Sequence, residues 1–268
     1  LETLEYRIKY RSRRDEFHLH GIGDAHGGLL HCAEKQLKSR IKQITEDPFG
    51  LAIGMGDLAD CITPSDPRWD EGVIAPWVDY YNIAECQREW AVNLLWPIKD
   101  QLLGLLDGNH EDALRRRNHV DIMANICKDL GVRRLRASAL IAFKFDRGRK
   151  VTQIDGSFEH GSGWAQTEGG VINRLKKGLL RTGARFHMMG HLHWILMTRS
   201  FPLNLDANID LTDQQRIAVC TGGWLRGYMQ NIPPSYVEKM GKEPLPIGAP
   251  VINLRPGAAV ADQVTVTL

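Results

Sequence analysis

Five short polar fragments hold most of the residues able to do chemistry in this 268-residue chain. They are Asp24-Ala25-His26, Asp57-Leu58-Ala59-Asp60, Asn109-His110-Glu111, His160-Gly161 and His191-Leu192-His193. The donors are carboxylate, imidazole and amide, with no cysteine among them. Such borderline-to-hard donors suit manganese, iron or zinc, with cobalt and nickel as alternatives, rather than copper(I) or a sulfur cluster. Residues two apart in an extended chain point to the same side. Asp24 with His26, and His191 with His193, can therefore each aim two ligands at one small volume. The donors are too many for one tetrahedral ion. With one carboxylate shared, they match two divalent ions about 3.5–4 Å apart. Taken singly each fragment is weak: Gly-Asp is common in turns, Asn-His can cap a helix, and a lone His-x-His can be a core histidine.

The elements that must position these groups alternate along the chain. Residues 16–24, 50–57 and 102–110 read as apolar strands, each ending in a polar turn. Further strand-like runs are "ALIAFKF", "VTQIDGSFEHG", "RFHMMGHLH" and "RIAVCTGG", and residues 261–268 close the chain as an edge strand. Helical spacing of apolar residues marks 32–47, 81–95 and 171–180, and 111–131 reads as one helix with acids in its first turn and Gly131 after its end. Every polar fragment follows a strand. In open α/β sheets such strand ends share an edge, where ligands bind. Residues 62–77 and 231–250 are long loops, which in a compact domain are more often functional than accidental. No linker demands a second domain, so a single domain over 1–268 is expected.

Composition narrows the classes. Apolar content of 43% and charged content of 25% are those of an ordinary globular protein. The net charge of +2 argues neither for nor against a polyanionic partner. Five scattered cysteines form no CxxC pair, so neither a disulfide framework nor a thiolate metal site is indicated. A reducing, cytoplasmic setting is expected. No apolar run approaches the length that crosses a membrane.

The ordered set D-x-H, G-D-x-x-D, G-N-H-E, H-G and G-H-x-H, over residues 24 to 193, resembles the calcineurin-like metallophosphoesterase superfamily. The resemblance implies an α/β fold: a four-layer αββα sandwich of two mixed sheets flanked by helices, with a di-metal site at the strand ends. By position it implies that Asp24, His26 and His193 bind one ion, that Asn109, His160 and His191 bind the other, and that Asp57 bridges. The implied activity is phosphate-ester hydrolysis by a metal-bridging hydroxide, with manganese the first-choice metal. His110 is then the candidate general acid for the leaving alkoxide. Asp60 stands where related phosphatases orient that histidine, or it merely caps a turn. Glu111 reads as support for the helix N-terminus.

Departures from relatives shape the substrate expectation. The protein Ser/Thr phosphatase branch has an arginine directly after G-D-x-x-D, where this chain has Cys61; the lipid-A-pathway hydrolases have arginine where this chain has His110. The phosphodiesterase group and the Mre11-like nuclease branch remain. A phosphodiester is the expected partner, with nucleotide and nucleic acid as candidates. The basic runs Arg115–Arg117, Arg133–Arg136, Arg147–Lys150 and Lys176–Arg185 read either as solvated faces or as a phosphate-tracking surface. Arg115, Trp164 and Trp224 are candidate substrate contacts, the tryptophans by stacking unless they pack in the core. The alternative from another class is a non-catalytic metal- or phosphate-binding protein. The complete set of ligands and acid favours the enzyme.

Overall fold

The structure is a computed structural model that describes residues 1–205 and 208–268. In chain order its elements are β1 (Glu2–Lys9), β2 (Phe17–Ile22), α1 (Glu34–Glu46), β3 (Gly50–Gly54), α2 (Ile83–Leu95), β4 (Leu102–Leu106), α3 (Asn109–Asn118), α4 (Ile122–Leu130), β5 (Arg134–Arg136), β6 (Ser138–Arg147) and β7 (Lys150–Glu159). They continue with α5 (Glu168–Leu180), β8 (Phe186–Met189), β9 (Ile195–Ser200), β10 (Leu203–Leu205), β11 (Leu211–Asp213), β12 (Arg216–Thr221), α6 (Tyr236–Lys239), β13 (Val251–Leu254) and β14 (Val264–Thr267).

Two mixed six-stranded sheets are formed among the described residues. One runs β1-β6-β7-β8-β12-β9; the other runs β14-β13-β2-β3-β4-β5. Their inner faces enclose one apolar layer, in which Phe143, Phe145, Phe158 and Phe186 from the first sheet meet Leu19, Ile53 and Leu106 from the second. The outer face of the second sheet is covered by α1, α2 and α4 through Leu37, Ile41, Leu94 and Ile126. The outer face of the first is covered by α5 through Val171, Leu175 and Leu179. This is the expected four-layer αββα sandwich. No helix among the described residues is long and apolar enough to cross a membrane.

One local reading changes. The expected helix over 111–131 is two helices. His119 takes the left-handed conformation (φ 57°) and ends α3. The Asp121 side chain then accepts from the Ala124 amide and starts α4. Residues 2–9 form an edge strand whose inward residues Leu4, Tyr6 and Ile8 alternate with charged ones. α2 ends at Leu95, as its apolar spacing predicts, and the chain then tightens into a 3₁₀ turn over Trp96–Gln101 with Pro97 inside it.

The second sheet also carries a titration that bears on stability. His20, on β2, is buried, and its Nδ1 lies 3.3 Å from the Arg40 guanidinium on α1. Burial first, then the Arg40 charge, holds its pKa down to about 4, against the weaker pull of Asp47. Between about pH 6.5 and 4 the unfolded chain therefore binds a proton at this site that the folded chain refuses. Stability should fall as pH falls through that window, by about 3 kcal/mol for the full shift. Urea unfolding at pH 7 and pH 4.5 should show a smaller drop for His20→Gln, whose amide can still accept from Arg40. An unchanged drop would refute the assignment.

Candidate metal centre

The C-terminal ends of β2, β3 and β4 in one sheet and of β7 and β8 in the other face a common point, and all five polar fragments stand there. Among the described residues, five of the ten non-glycine residues with positive φ are expected ligands: Asp24 (50°), His26 (48°), Asp57 (48°), His191 (70°) and His193 (59°). Each such conformation costs on the order of 1–3 kcal/mol and persists only where surroundings enforce it. Part of the enforcement is visible. The Asp57 carbonyl accepts from the amides of Ala25 (2.9 Å) and His26 (3.1 Å), and the Asp24 carboxylate accepts from the His191 amide at 2.9 Å. Gly108 permits the closest approach: a side chain there would start 2.1 Å from the Asp57 amide nitrogen.

Glu111 joins these turns from within. Its carboxylate is 2% exposed and accepts from the backbone amides of Leu58 (2.8 Å), Asp57 (3.1 Å) and Gly108 (3.1 Å). Burial, then the charge of Asp57, raises its pKa to about 7. Its support therefore reaches the β3 turn as well as the helix N-terminus. Glu111→Ala would strand these amides in the interior, with an expected loss on the order of 3–5 kcal/mol in denaturant unfolding. A loss below 1 kcal/mol would show that water or a neighbour replaces the carboxylate.

The ligand atoms form two groups. In the first, His26 Nε2 and His193 Nε2 stand 3.3 Å apart, with Asp24 Oδ1 3.5 Å from His193 Nε2. In the second, His160 Nε2 lies 3.3 Å from Asp57 Oδ2 and 3.1 Å from Asn109 Oδ1, and His191 joins Asp57 and His160. The tautomers follow from carbonyl partners, which can only accept. His160 Nδ1 donates to the Met55 carbonyl (2.7 Å), and His191 Nε2 donates to the Gly163 carbonyl (2.8 Å). The other nitrogen of each ring is left for a ligand, the usual way protein groups orient a metal-binding imidazole. Three acceptor atoms, His160 Nε2, Asp57 Oδ2 and Asn109 Oδ1, thus converge where only a proton or a cation can sit. When a proton holds the place, the imidazole pKa rises to about 10: burial opposes it most, but the charge and hydrogen bond of Asp57, the charge of Asp24 and the Met55 carbonyl together outweigh it. Burial likewise keeps His26, His191 and His193 below the usual histidine range, in the neutral form that binds metal. The donor set fits divalent cations.

His26, Asp60 and His110 also lie close together. They are not a ligand set of the same kind, because His110 Nδ1 donates to the Asp60 backbone carbonyl at 2.6 Å and carries its proton there. The carboxylate of Asp60 stands 3.5 Å from both His110 Nδ1 and His26 Nδ1. The expected orientation of His110 by Asp60 therefore comes from main chain, with the carboxylate as a nearby charge. Burial lowers the His110 pKa, but Asp57 and Asp60 together outweigh it and carry the value to about 9.

The cluster opens into a cavity of about 790 Å³. Trp164 lines it. Trp224 does not: it is 3% exposed and packs in the core beneath α1. Arg115 turns away to pair with Asp112. The residue that sequence reasoning missed is Arg68, from the 62–77 loop. Its guanidinium is held bidentately by Asp66, through Nε (3.0 Å) and Nη2 (2.9 Å), and its Nη1 lies 3.1 Å from His110 Nε2. Cys61 is buried, with its amide bonded to Gln87. Arg68 thus brings a positive charge beside His110 from a loop whose sequence carries no signature for it.

No known family profile matches the chain, and no curated protein matches it. Solved structures similar to the chain include two of bacterial proteins. A conserved uncharacterized protein of Streptococcus pneumoniae TIGR4, described as a predicted phosphoesterase, is 11% identical over 94% of this chain and 98% of its own, at a TM-score of 0.34. The NAD nucleotidase of Haemophilus influenzae is 9% identical over 95% of this chain, at a TM-score of 0.43. The chain spans about half of that protein, 49%. The class of site stands on its own geometry: an αββα sandwich with a His/Asp cluster able to hold metal at the meeting ends of its two sheets.

Proposed function

We propose that the protein is a metal-dependent hydrolase of small-molecule phosphate esters. The observation that carries this reading is the convergence of His160 Nε2, Asp57 Oδ2 and Asn109 Oδ1 beside the His26–His193–Asp24 group. When bound there, two divalent cations, with Mn²⁺ the first choice, supply hydroxide near neutral pH and neutralise phosphoryl charge. The chain's own residues do the rest. Arg68, fixed by Asp66, is placed to hold a phosphoryl oxygen, as a planar guanidinium does well. His110, its Nδ1 anchored on the Asp60 carbonyl, turns Nε2 into the cavity to protonate the leaving oxygen. That acid beside the ligand cluster favours turnover over mere binding.

Among esters, diesters are the favoured class because the cavity leaves room for a second substituent. Arg68 removes the charge argument against monoesters and leaves this one. The Mre11-like nuclease reading has less support. The Arg147–Lys150 turn lies at the far end of a ten-residue strand from His160, about 30 Å away. Arg134 is paired with Asp107 and Asp121, Arg181 with Glu159, and Arg185 is buried. No continuous basic track leads to the site from these residues.

Hydrolysis of bis-p-nitrophenyl phosphate should vanish on chelation and return with Mn²⁺, and its kcat/KM should exceed that for p-nitrophenyl phosphate. Full turnover by demonstrably metal-free protein would overturn the reading. A clear monoester preference would overturn only the diester refinement.

A further inference from the structure

The cavity is far larger than a phosphoryl group needs, and its wall away from the ligand cluster has a different character. Leu29, Trp69, Ile74, Trp164, Tyr236 and Val237 make that wall largely apolar and aromatic. The aromatic part is preset. Arg174 holds the carbonyls of Ser162 (2.7 Å) and Trp164 (2.9 Å), which fixes the loop bearing the indole. The Lys242 ammonium sits 3.5 Å from the Trp164 ring centroid and 4.9 Å from that of Tyr236, tying the two rings together across the cavity mouth. Both rings remain partly exposed, at 41% and 39%. Tyr236 also lies near enough to Asp24, Asp57 and Asp60 to feel their charges. Both rings line the same cavity as the cluster, so a group attached to a phosphate there would meet them.

One polar group in this wall is incompletely satisfied, with the Pro233 carbonyl nearby but no well-formed hydrogen bond. His31 is 1% exposed, and neither of its ring nitrogens has a hydrogen-bond partner. Burial outweighs the pull of the Pro233 carbonyl, Glu238 and Asp70 and keeps the ring below its ordinary pKa. A neutral imidazole offers one donor and one acceptor. An aliphatic chain would suit the apolar wall and leave both nitrogens unsatisfied. A flat ring with nitrogens at its edge would suit both.

Building on the phosphoesterase reading, we propose that this wall is a subsite for a planar nitrogen-heteroaromatic group of the substrate, of the nucleobase class, stacked by Trp164 and Tyr236 and read at its edge by His31. Reaching the His31 nitrogens requires the segment around Tyr236 to yield slightly. That segment is held to the 62–74 loop by the Lys239–Asp70 ion pair, a surface contact that can open.

The test is binding to the Mn²⁺-loaded protein, read by tryptophan fluorescence and calorimetry. The probes are adenosine thiomonophosphate, ribose phosphate and hexyl phosphate. The thionucleotide should bind about 10- to 100-fold more tightly than ribose phosphate, the range expected for stacking one base. Trp164→Ala should remove most of that difference and leave ribose phosphate unaffected. His31→Leu should reduce it independently. Adenosine alone should bind the chelated protein weakly, through the same wall. Equal affinities for thionucleotide and ribose phosphate, or equal weakening of both by Trp164→Ala, would overturn the proposal. So would tighter binding of hexyl phosphate, which would mark an aliphatic occupant. If adenosine binds but no phosphate ester is bound or hydrolysed, the phosphoesterase reading fails and the subsite stands. If bis-p-nitrophenyl phosphate is hydrolysed with no ring preference in binding, the reverse holds.

Discussion

His110→Ala is expected to keep its metal content and lose about 10²–10⁴-fold in kcat on esters with poor leaving groups. The argument is geometric. His110 begins α3, and Nδ1 donates to the Asp60 carbonyl. That bond directs Nε2 into the cavity, where Arg68 meets it at 3.1 Å. In this geometry Nε2 accepts from Arg68 Nη1; once a phosphoryl oxygen takes that guanidinium donor, Nε2 can carry the proton that a leaving alkoxide needs. p-Nitrophenolate needs none, so the loss should shrink on its esters. An equal loss on p-nitrophenyl and alkyl esters would assign His110 to holding the phosphoryl group instead. Because the main-chain carbonyl of Asp60 makes the short bond, Asp60→Asn should cost much less than His110→Ala.

Asp57→Asn is expected to lower metal content and turnover together, toward the limit of detection. Asp57 is the carboxylate expected to serve both groups of ligands, and its contacts to the second are short. Its Oδ2 lies 3.3 Å from His160, while Oδ1 accepts from the His110 amide at 2.9 Å. Desolvation pushes its pKa up, yet His160, His110 and His26 together hold it well below the ordinary carboxylate range. The carboxylate is therefore charged at neutral pH, and an amide of the same shape would remove the charge and leave the packing. Metal analysis on the purified variant decides the point. Two retained ions with normal turnover would show that the charge of Asp57 is not what holds the site together.

The site was legible because metal ligation restricts residue type. Asp24, His26, Asp57, Asn109, His160, His191 and His193 announce themselves by chemistry and by placement after strands, and the structure brings them together. The helices over 34–46, 83–95 and 168–180 were legible from apolar spacing. The break between α3 and α4 was not, because it turns on the left-handed His119, a residue type that gives little warning. β1 was overlooked because three of its four solvent-facing residues are charged, which hides the alternation of Leu4, Tyr6 and Ile8. Trp164 and Trp224 look alike in sequence, each after a glycine-rich stretch; only tertiary packing sends one to the cavity and the other to the core. Arg68, His31 and Tyr236 meet across loops distant in sequence, and no local pattern encodes that meeting.

The ligands come from both sheets: Asp24, His26, Asp57 and Asn109 from the ends of β2, β3 and β4, and His160, His191 and His193 from the ends of β7 and β8. A bound cation is thus a rivet through the sandwich, and its affinity reads out the registry of one sheet against the other. Sliding the layers by a fraction of an ångström would separate Asp57 from His160 without touching either residue. Substitutions among the interleaved phenylalanines, far from any ligand, should then surface first as weakened cation retention, before the fold itself is lost. The centre is also late by construction, since Asp24 and the His191 amide that its carboxylate accepts from are 167 residues apart. Neither sheet alone can assemble it, so occupancy certifies that the two halves have closed correctly.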